Sequence, residues 1–287
     1  MKYLIVTVLV AAVCFASDPD AGPQTGELQH SQAGSDDYTI TLTTENVFTL
    51  NFGSYLRGCD YVDGYGELLI SDYDTDSVYS VDPTTGTMDY GIACPPEIPD
   101  VLGICAYITT DNYILINDWK DILNIWRFGT TTGWEFAYAN PSPEPRGMDV
   151  DDAMTVWEID AASRVLYHFD LNGSLIETFS LTELPATYAC GLSVFPFEGD
   201  LGIVVGGYAY ADFYFYRYDG STMEFINSAP VPQAMNQSYG ISYSCDTSSY
   251  FWVYRDASSN YYLCEFTAEI EQVSLEQSTW GSIKSIF

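Results

Sequence analysis

Five glycines, Gly58, Gly103, Gly147, Gly191 and Gly240, recur at intervals of 45, 44, 44 and 49 residues. Each opens a copy of one phrase, plainest in LRGCDYVDGYGELLISDYDTDSVYSVDPTTGTMDY from Leu56 and RGMDVDDAMTVWEIDAASRVLYHFDLNGSLIETF from Arg146. A period of this length marks a supersecondary unit repeated in tandem, and it constrains the fold more tightly than composition does. The copies run over residues 56–101, 102–145, 146–189, 190–238 and 239–277. Within each, short runs alternate apolar and polar residues between Gly, Asp, Asn, Ser or Pro turns; in the first copy they fall at 58–63, 67–73, 77–82 and 87–92. This is the pattern of a four-stranded antiparallel meander. A lone meander leaves one face unburied, whereas copies stacked radially around an axis bury one another. The expectation is an all-β chain, a β-propeller with five full four-stranded blades.

The ends of the chain bear on closure. DYTITLTTENVFTLNF, residues 37–52, reads as one more hairpin, and TWGSIKSIF, residues 279–287, reads as a first strand with Gly281 placed 41 residues after Gly240. Together they would make a sixth blade split between the termini, which ties the ring shut and removes free sheet edges. Five blades with a spare hairpin, or a C-terminal sorting tail, are the alternatives.

The blade phrases ELLISDYDTDSVYSVDPTTG and TVWEIDAASRVLYHFDLNG resemble the strand, Asp-containing turn, strand, Asp-Pro or Asn-Gly turn of NHL and YVTN-repeat β-propellers. That superfamily includes streptogramin lyase-like and gluconolactonase-like proteins. The resemblance spans residues 56 to 275 or so, and it implies the fold without choosing an activity.

MKYLIVTVLVAAVCFAS, residues 1–17, reads as a secretory signal peptide, with Cys14 and Ala16 at the −3 and −1 positions of a cut. A lipoprotein reading through Cys14 is opposed by the bulky Val13 before it. Residues 18–35, DPDAGPQTGELQHSQAGS, read as a polar linker, which leaves 36–287 as one propeller domain. No other segment is long and apolar enough for a membrane span, so the mature chain is expected to be a monomer that is secreted, periplasmic or at the cell surface. With 40 acids against 9 bases and a net charge of −31, the chain lacks the basic footprint that nucleic acid requires. Six cysteines follow the signal, enough for three disulfides in an exported chain; Cys94 with Cys105 is the first expectation, as both flank one short loop.

Candidate chemistry gathers at loops. Asp72, Asp74 and Asp76 in SDYDTDS stand on alternate positions, as in a calcium loop, but Ser77 and Pro83 fall where an EF-hand needs Gly and Glu. The same pattern suits a turn, because Asp caps its own backbone two residues on. Loops entering first strands and loops joining second to third strands open on one face, which would hold these corners with Glu97, Asp100, Glu144 and Glu183 and so be strongly acidic. Arg57 and Arg146 interrupt that face beside the channel mouth, where a guanidinium either forks onto a ligand carboxylate or pairs with nearby acids. Tyr65, Trp119, Tyr208, Tyr210 and Asn236 are loop aromatics and an amide of the kind that stacks on sugars. Asp149, Asp151 and Asp152 lie near the axis, and His168 sits in mid-strand. With only one other histidine, His30, in the chain, His-dependent hydrolase or lyase chemistry has little material. The composite expectation is a non-catalytic binding module for an extracellular protein or glycan, acting through an acidic face, with Arg57, Arg146, Trp119, Tyr208 and Asn236 as ligand contacts and calcium as a candidate at Asp72, Asp74 and Asp76. The competing class is a metal-assisted hydrolase or lactonase-like enzyme with acids around the channel mouth.

Overall fold

A computed structural model describes residues 38–108, 112–118 and 124–273. The signal and linker expected at 1–35, Trp119 and the 279–287 tail lie outside the described residues. The first strand of the described residues is β1 (Tyr38–Leu50). Blade 1 follows as β2 (Leu56–Val62), β3 (Glu67–Asp72), β4 (Ser77–Asp82) and β5 (Thr87–Ala93), within two residues of the boundaries read from alternation. Blade 2 is β6 (Val101–Tyr107), β7 (Tyr113–Asp118), β8 (Asn124–Gly129) and β9 (Gly133–Ala139). Blade 3 is β10 (Pro145–Val150), β11 (Thr155–Asp160), β12 (Val165–Asp170) and β13 (Leu175–Ser180). Blade 4 is β14 (Ala189–Phe197), β15 (Asp200–Gly207), β16 (Asp212–Tyr218) and β17 (Met223–Pro230). The last repeat supplies only β18 (Gln237–Ser244), β19 (Ser249–Arg255) and β20 (Tyr261–Gln272).

Blade 5 is completed by β1, in the sheet order β1-β20-β19-β18. The two strands run antiparallel from Tyr38 opposite Gln272 to Leu50 opposite Tyr261, with one register shift between Thr44 and Asn46. The expected hairpin at 37–52 is therefore a single bulged strand, and the split sixth blade is corrected to a five-bladed ring closed by the N-terminal strand. The reason is visible in β20, whose twelve residues YYLCEFTAEIEQ form one long strand instead of two short ones. The fifth repeat thus lacks an outer strand, and β1 covers the edge it would leave open.

The lead glycines explain how five blades meet. A Cβ on Gly58 would stand 2.5 Å from the Leu102 carbonyl oxygen, on Gly103 1.9 Å from that of Arg146, and on Gly191 2.4 Å from that of Tyr239. On Gly147 it would meet Leu192 N at 2.6 Å, and on Gly240 Cys59 N at 2.2 Å, so the last inner strand closes on the first. Only glycine lets the inner backbones approach this closely. The core lies in the five seams between blades. Cys59 and Tyr61 meet Phe251 and Val253 between blades 1 and 5, and Leu69 and Val78 meet Ile104 and Ile116 between blades 1 and 2. The remaining three seams are filled around Met148 and Phe169, Trp157 and Ile203, and Phe213, Trp252 and Phe266.

Across most seams a side chain two residues past a lead glycine also bonds to the next blade. Asp60 Oδ2 accepts from Ala106 N (2.6 Å), Asp149 Oδ2 from Val194 N (2.8 Å), Ser193 Oγ from Tyr243 N (2.8 Å) and Ser242 Oγ from Tyr61 N (2.8 Å). Cys105 holds the equivalent place in blade 2 and packs instead with Tyr107, Met148 and Phe169. All six cysteines described are free thiols. The expected Cys94–Cys105 disulfide is corrected: Cys94 packs at the seam of blades 1 and 2, Cys105 at the seam of blades 2 and 3. Among the described residues no helix is long and apolar enough to cross a membrane.

Candidate functional site

The axis has two mouths, an upper one where the inner strands begin and a lower one where they end. The residue just before each lead glycine is Arg57, Leu102, Arg146, Cys190 or Tyr239. All five, with Tyr188 and Tyr208, line one small cavity at the upper mouth. Arg57 and Arg146 are each only 7% exposed. The Arg57 guanidinium carbon stands 3.5 Å from the centre of the Tyr55 ring and 4.6 Å from that of Tyr239. Arg146 lies 6.0 Å from the Tyr188 ring and donates from Nη1 to the Pro145 carbonyl (2.7 Å). Burial, first of all, lowers the Arg146 pKa to about 10, and Arg57 adds to the lowering by like-charge repulsion. Gln237 braces the wall: its Nε2 donates to the Tyr208 hydroxyl, while its Oε1 accepts from Tyr239 (2.5 Å) and from Arg255 Nη1 (3.2 Å).

Three of the five expected ligand contacts, Arg57, Arg146 and Tyr208, therefore share one cavity. Trp119 is outside the described residues. Asn236 is in the loop leading to β18, where its N–H donates to the Arg255 carbonyl (2.8 Å). Tyr210 is fully buried, with its hydroxyl on the Pro185 and Thr187 carbonyls.

The aspartate corners face inward. Asp72 is wholly buried; its Oδ2 accepts from Ser54 N (2.8 Å) and its Oδ1 from Tyr55 N (3.1 Å) and Asp74 N (3.0 Å). It ties the loop entering β2 to the corner between β3 and β4. Asp76, at φ 47°, accepts from Asp100 N at 2.6 Å, and Asp74 stays exposed. Asp160 does for blade 3 what Asp72 does for blade 1, taking Glu144 N, Ser142 Oγ and Ser163 N. Among the described residues no three His, Cys, Asp or Glu side chains are arranged to hold a metal ion.

The acids that front a cavity are at the lower mouth. Asp60, Asp63, Asp149, Asp151, Asp152 and Asp200 line a space of about 490 Å³ with Tyr61, Tyr107, Phe195 and Tyr243. Burial, then the charge of Asp149, holds the Asp60 carboxyl well above the usual range. Burial likewise pushes Asp149 up to about 6, against its bonds from Val194 N, Ser193 Oγ and Val150 N. Val62, Ala106, Tyr107 and Ile108 are shared with a second, mainly apolar groove of about 450 Å³ between blades 1 and 2. Tyr65 and Tyr90, 57% and 50% exposed, stand on this groove.

His168 is structural in its surroundings: it stacks on Trp157 at 3.8 Å, with Nε2 2.7 Å from Thr155 Oγ1 and Nδ1 3.1 Å from Glu177. Sequence reasoning found Arg57 and Arg146 but missed Cys190 and Tyr239 at the same position before the glycine. It also missed Asp60, which shares with Asp149 the position two residues after the glycine. Alignment of the five copies on their glycines carried both signals.

No family model and no curated protein matches the chain. Solved structures do match. The glutaminyl cyclase of Myxococcus xanthus aligns with a TM-score of 0.56 at 10% identity, over 84% of this chain and 100% of that one. The PQQ-bound aldose sugar dehydrogenase of Streptomyces coelicolor aligns at 0.52 and 11% identity, over 80% and 99%. The virginiamycin B lyase of Staphylococcus aureus aligns at 0.46 and 12% identity, over 84% and 76%. At such identities the likeness is one of fold alone, and the fold is a five-bladed β-propeller.

Proposed function

We propose that this chain is an exported, non-catalytic binding module whose lower mouth takes a cationic, partly apolar segment of an extracellular protein. The observation that carries the reading is continuity: the acidic cavity and the apolar groove share a wall of Val62, Ala106, Tyr107 and Ile108. Carboxylates at the axis receive basic side chains, and Tyr65 and Tyr90 on the groove receive the apolar ones beside them. The net charge of −31 steers cations toward every face and repels anionic partners. An exposed aromatic rim beside a charged cavity is the mark of a partner surface. The fold itself is neutral on the matter, since it also carries a cyclase and a dehydrogenase.

The test is fluorescence anisotropy with two labelled peptides, acetyl-KFLKFLK-amide and acetyl-EFLEFLE-amide, at low and moderate salt. The basic peptide binds and weakens with salt, and Asp152→Asn with Tyr65→Ala, both exposed positions, weakens it further. Equal binding of the two peptides, or indifference to the paired variant, refutes the reading.

A further inference from the structure

The position two residues past each lead glycine holds Asp60, Cys105, Asp149, Ser193 and Ser242, one from each blade. Because the glycines draw the inner strands together at the axis, these five side chains ring it at one level. Two are carboxylates, on blades 1 and 3, and each has its own serine: Ser242 Oγ donates to Asp60 Oδ1 (3.0 Å) and Ser193 Oγ to Asp149 Oδ2 (2.8 Å). Asp60 and Asp149 are 4% and 8% exposed, and both line the lower cavity. No basic side chain lines that cavity among the described residues. Two buried carboxylates without a cation between them cannot both ionise cheaply. Burial, and then the charge of Asp149, raises Asp60 well above its usual range, and burial raises Asp149 to about 6. Without a bound cation the ring therefore keeps a proton at neutral pH.

The other groups facing the ring do not take that role. Burial and the nearby acids push up the thiols of Cys59, Cys105 and Cys245, the last to about 11, and burial raises the Tyr61 and Tyr107 hydroxyls. Tyr243 packs on Phe195 and Tyr250. Asp63 accepts from Ser244 Oγ, Cys245 N and Asp246 N, and Asp151 from Thr155 N, Thr155 Oγ1 and Trp157 Nε1. Asp200 is held by Arg217 Nε (2.6 Å), and Asp152 is exposed. Asp60 accepts two hydrogen bonds and Asp149 three. Of about eight lone-pair sites on the two carboxylates, about three stay open, the number that the N–H donors of one ammonium fill. A compact ammonium with rotatable donors suits such a ring better than a planar guanidinium.

Resting on the function proposed above, we propose that Asp60 and Asp149 form a proton-exchanging seat at the axis, in which one lysine ammonium of the partner segment displaces the proton that the pair otherwise shares. Binding at the lower mouth is thereby coupled to pH. Protons compete with the ammonium for the pair, so affinity falls as the solution becomes more acid. With Asp149 at about 6, competition from its proton alone makes binding about tenfold weaker at pH 5 than at pH 8. The raised Asp60 adds to this in the same direction.

The probe is acetyl-KFLKFLK-amide, whose own charge is constant between pH 5 and pH 8. Anisotropy at fixed ionic strength reads its affinity across that range. Calorimetry at pH 7 in phosphate and in Tris, which differ in heat of ionisation, counts the protons released, and it needs no variant. Binding should be at least tenfold tighter at pH 8 than at pH 5, with about one proton released at pH 7. Acetyl-RFLRFLR-amide should bind less tightly. Asp152→Asn should weaken binding and keep the pH dependence, whereas a folded Asp60→Asn, Asp149→Asn double variant should weaken it and lose that dependence. A basic peptide that is preferred over the acidic one, yet binds equally at pH 5 and pH 8 and releases no proton, overturns the seat and leaves the binding function standing. An arginine peptide that binds as tightly as the lysine one, or a double variant that keeps the pH dependence, also overturns the seat. No preference between basic and acidic peptides overturns both.

Discussion

Glu158 is wholly buried in the seam between blades 2 and 3. Its Oε1 accepts from Asn117 Nδ2 (2.7 Å) and Asn140 Nδ2 (3.0 Å), while Oε2 has no hydrogen-bond partner. Burial, opposed in part by those two amides, raises its pKa from 4.5 to about 8. The folded chain therefore holds a proton here that the unfolded chain has released. The sign follows from linkage: the stabilisation is complete below pH 4.5 and is lost progressively as pH climbs to about 8. At 1.36 kcal/mol for each pH unit in that window, the loss between pH 5 and pH 9 comes to about 4 kcal/mol. Glu158→Gln has the shape of the protonated acid and no charge to lose. It keeps the oxygen that accepts from both asparagines and places an amide where the acid carries its O–H. Urea unfolding of both proteins at pH 5 and pH 9 measures the effect, and the difference between them cancels every other titrating group. The variant should match the wild type within about 1 kcal/mol at pH 5 and exceed it by about 4 kcal/mol at pH 9. A difference that changes by less than about 1 kcal/mol over that range would mean that Glu158 titrates as an exposed carboxyl does, and the burial argument would fail.

Three further outcomes follow from the packing. Gly103→Ala puts a methyl 1.9 Å from the Arg146 carbonyl oxygen, and thermal or urea melts should show a loss of more than about 3 kcal/mol or no folded protein. Deleting residues 38–50 strips the outer strand from β20 and uncovers Trp252 and Phe266 in the adjoining seam; calorimetry should show the single cooperative transition lost, and a normal transition would mean that the ring closes some other way. Asp72→Asn leaves one oxygen for three backbone donors and should cost about 1–3 kcal/mol in urea unfolding. Because those donors already occupy both oxygens, calcium added to chelator-treated wild type should leave the melting midpoint unmoved, whereas a saturating rise would return Asp72, Asp74 and Asp76 to the role of a cation loop.

The period of the lead glycines and the alternation between them were enough to place the strands of blade 1 to within two residues and to find five tandem repeats, though not to exclude a sixth blade. These are local properties: a strand's alternation and a turn's Asp or Gly depend on neighbours a few residues away. The position before each glycine was equally legible, and it led to Arg57 and Arg146. Closure was not. Whether β1 pairs with β20, some 220 residues on, depends on which edge is left open once five meanders are assembled, and no window of sequence contains both strands. The aspartates show the same division. Asp72 and Asp149 look alike in sequence, each followed at short range by further acids. Yet the loop backbone around Ser54 turns the first into a cap, while the second bonds across the seam to Val194 beside an open cavity. Repetition in the chain determined the blades and the ring positions; the packing of distant backbones decided which of those positions are structural and which front a cavity.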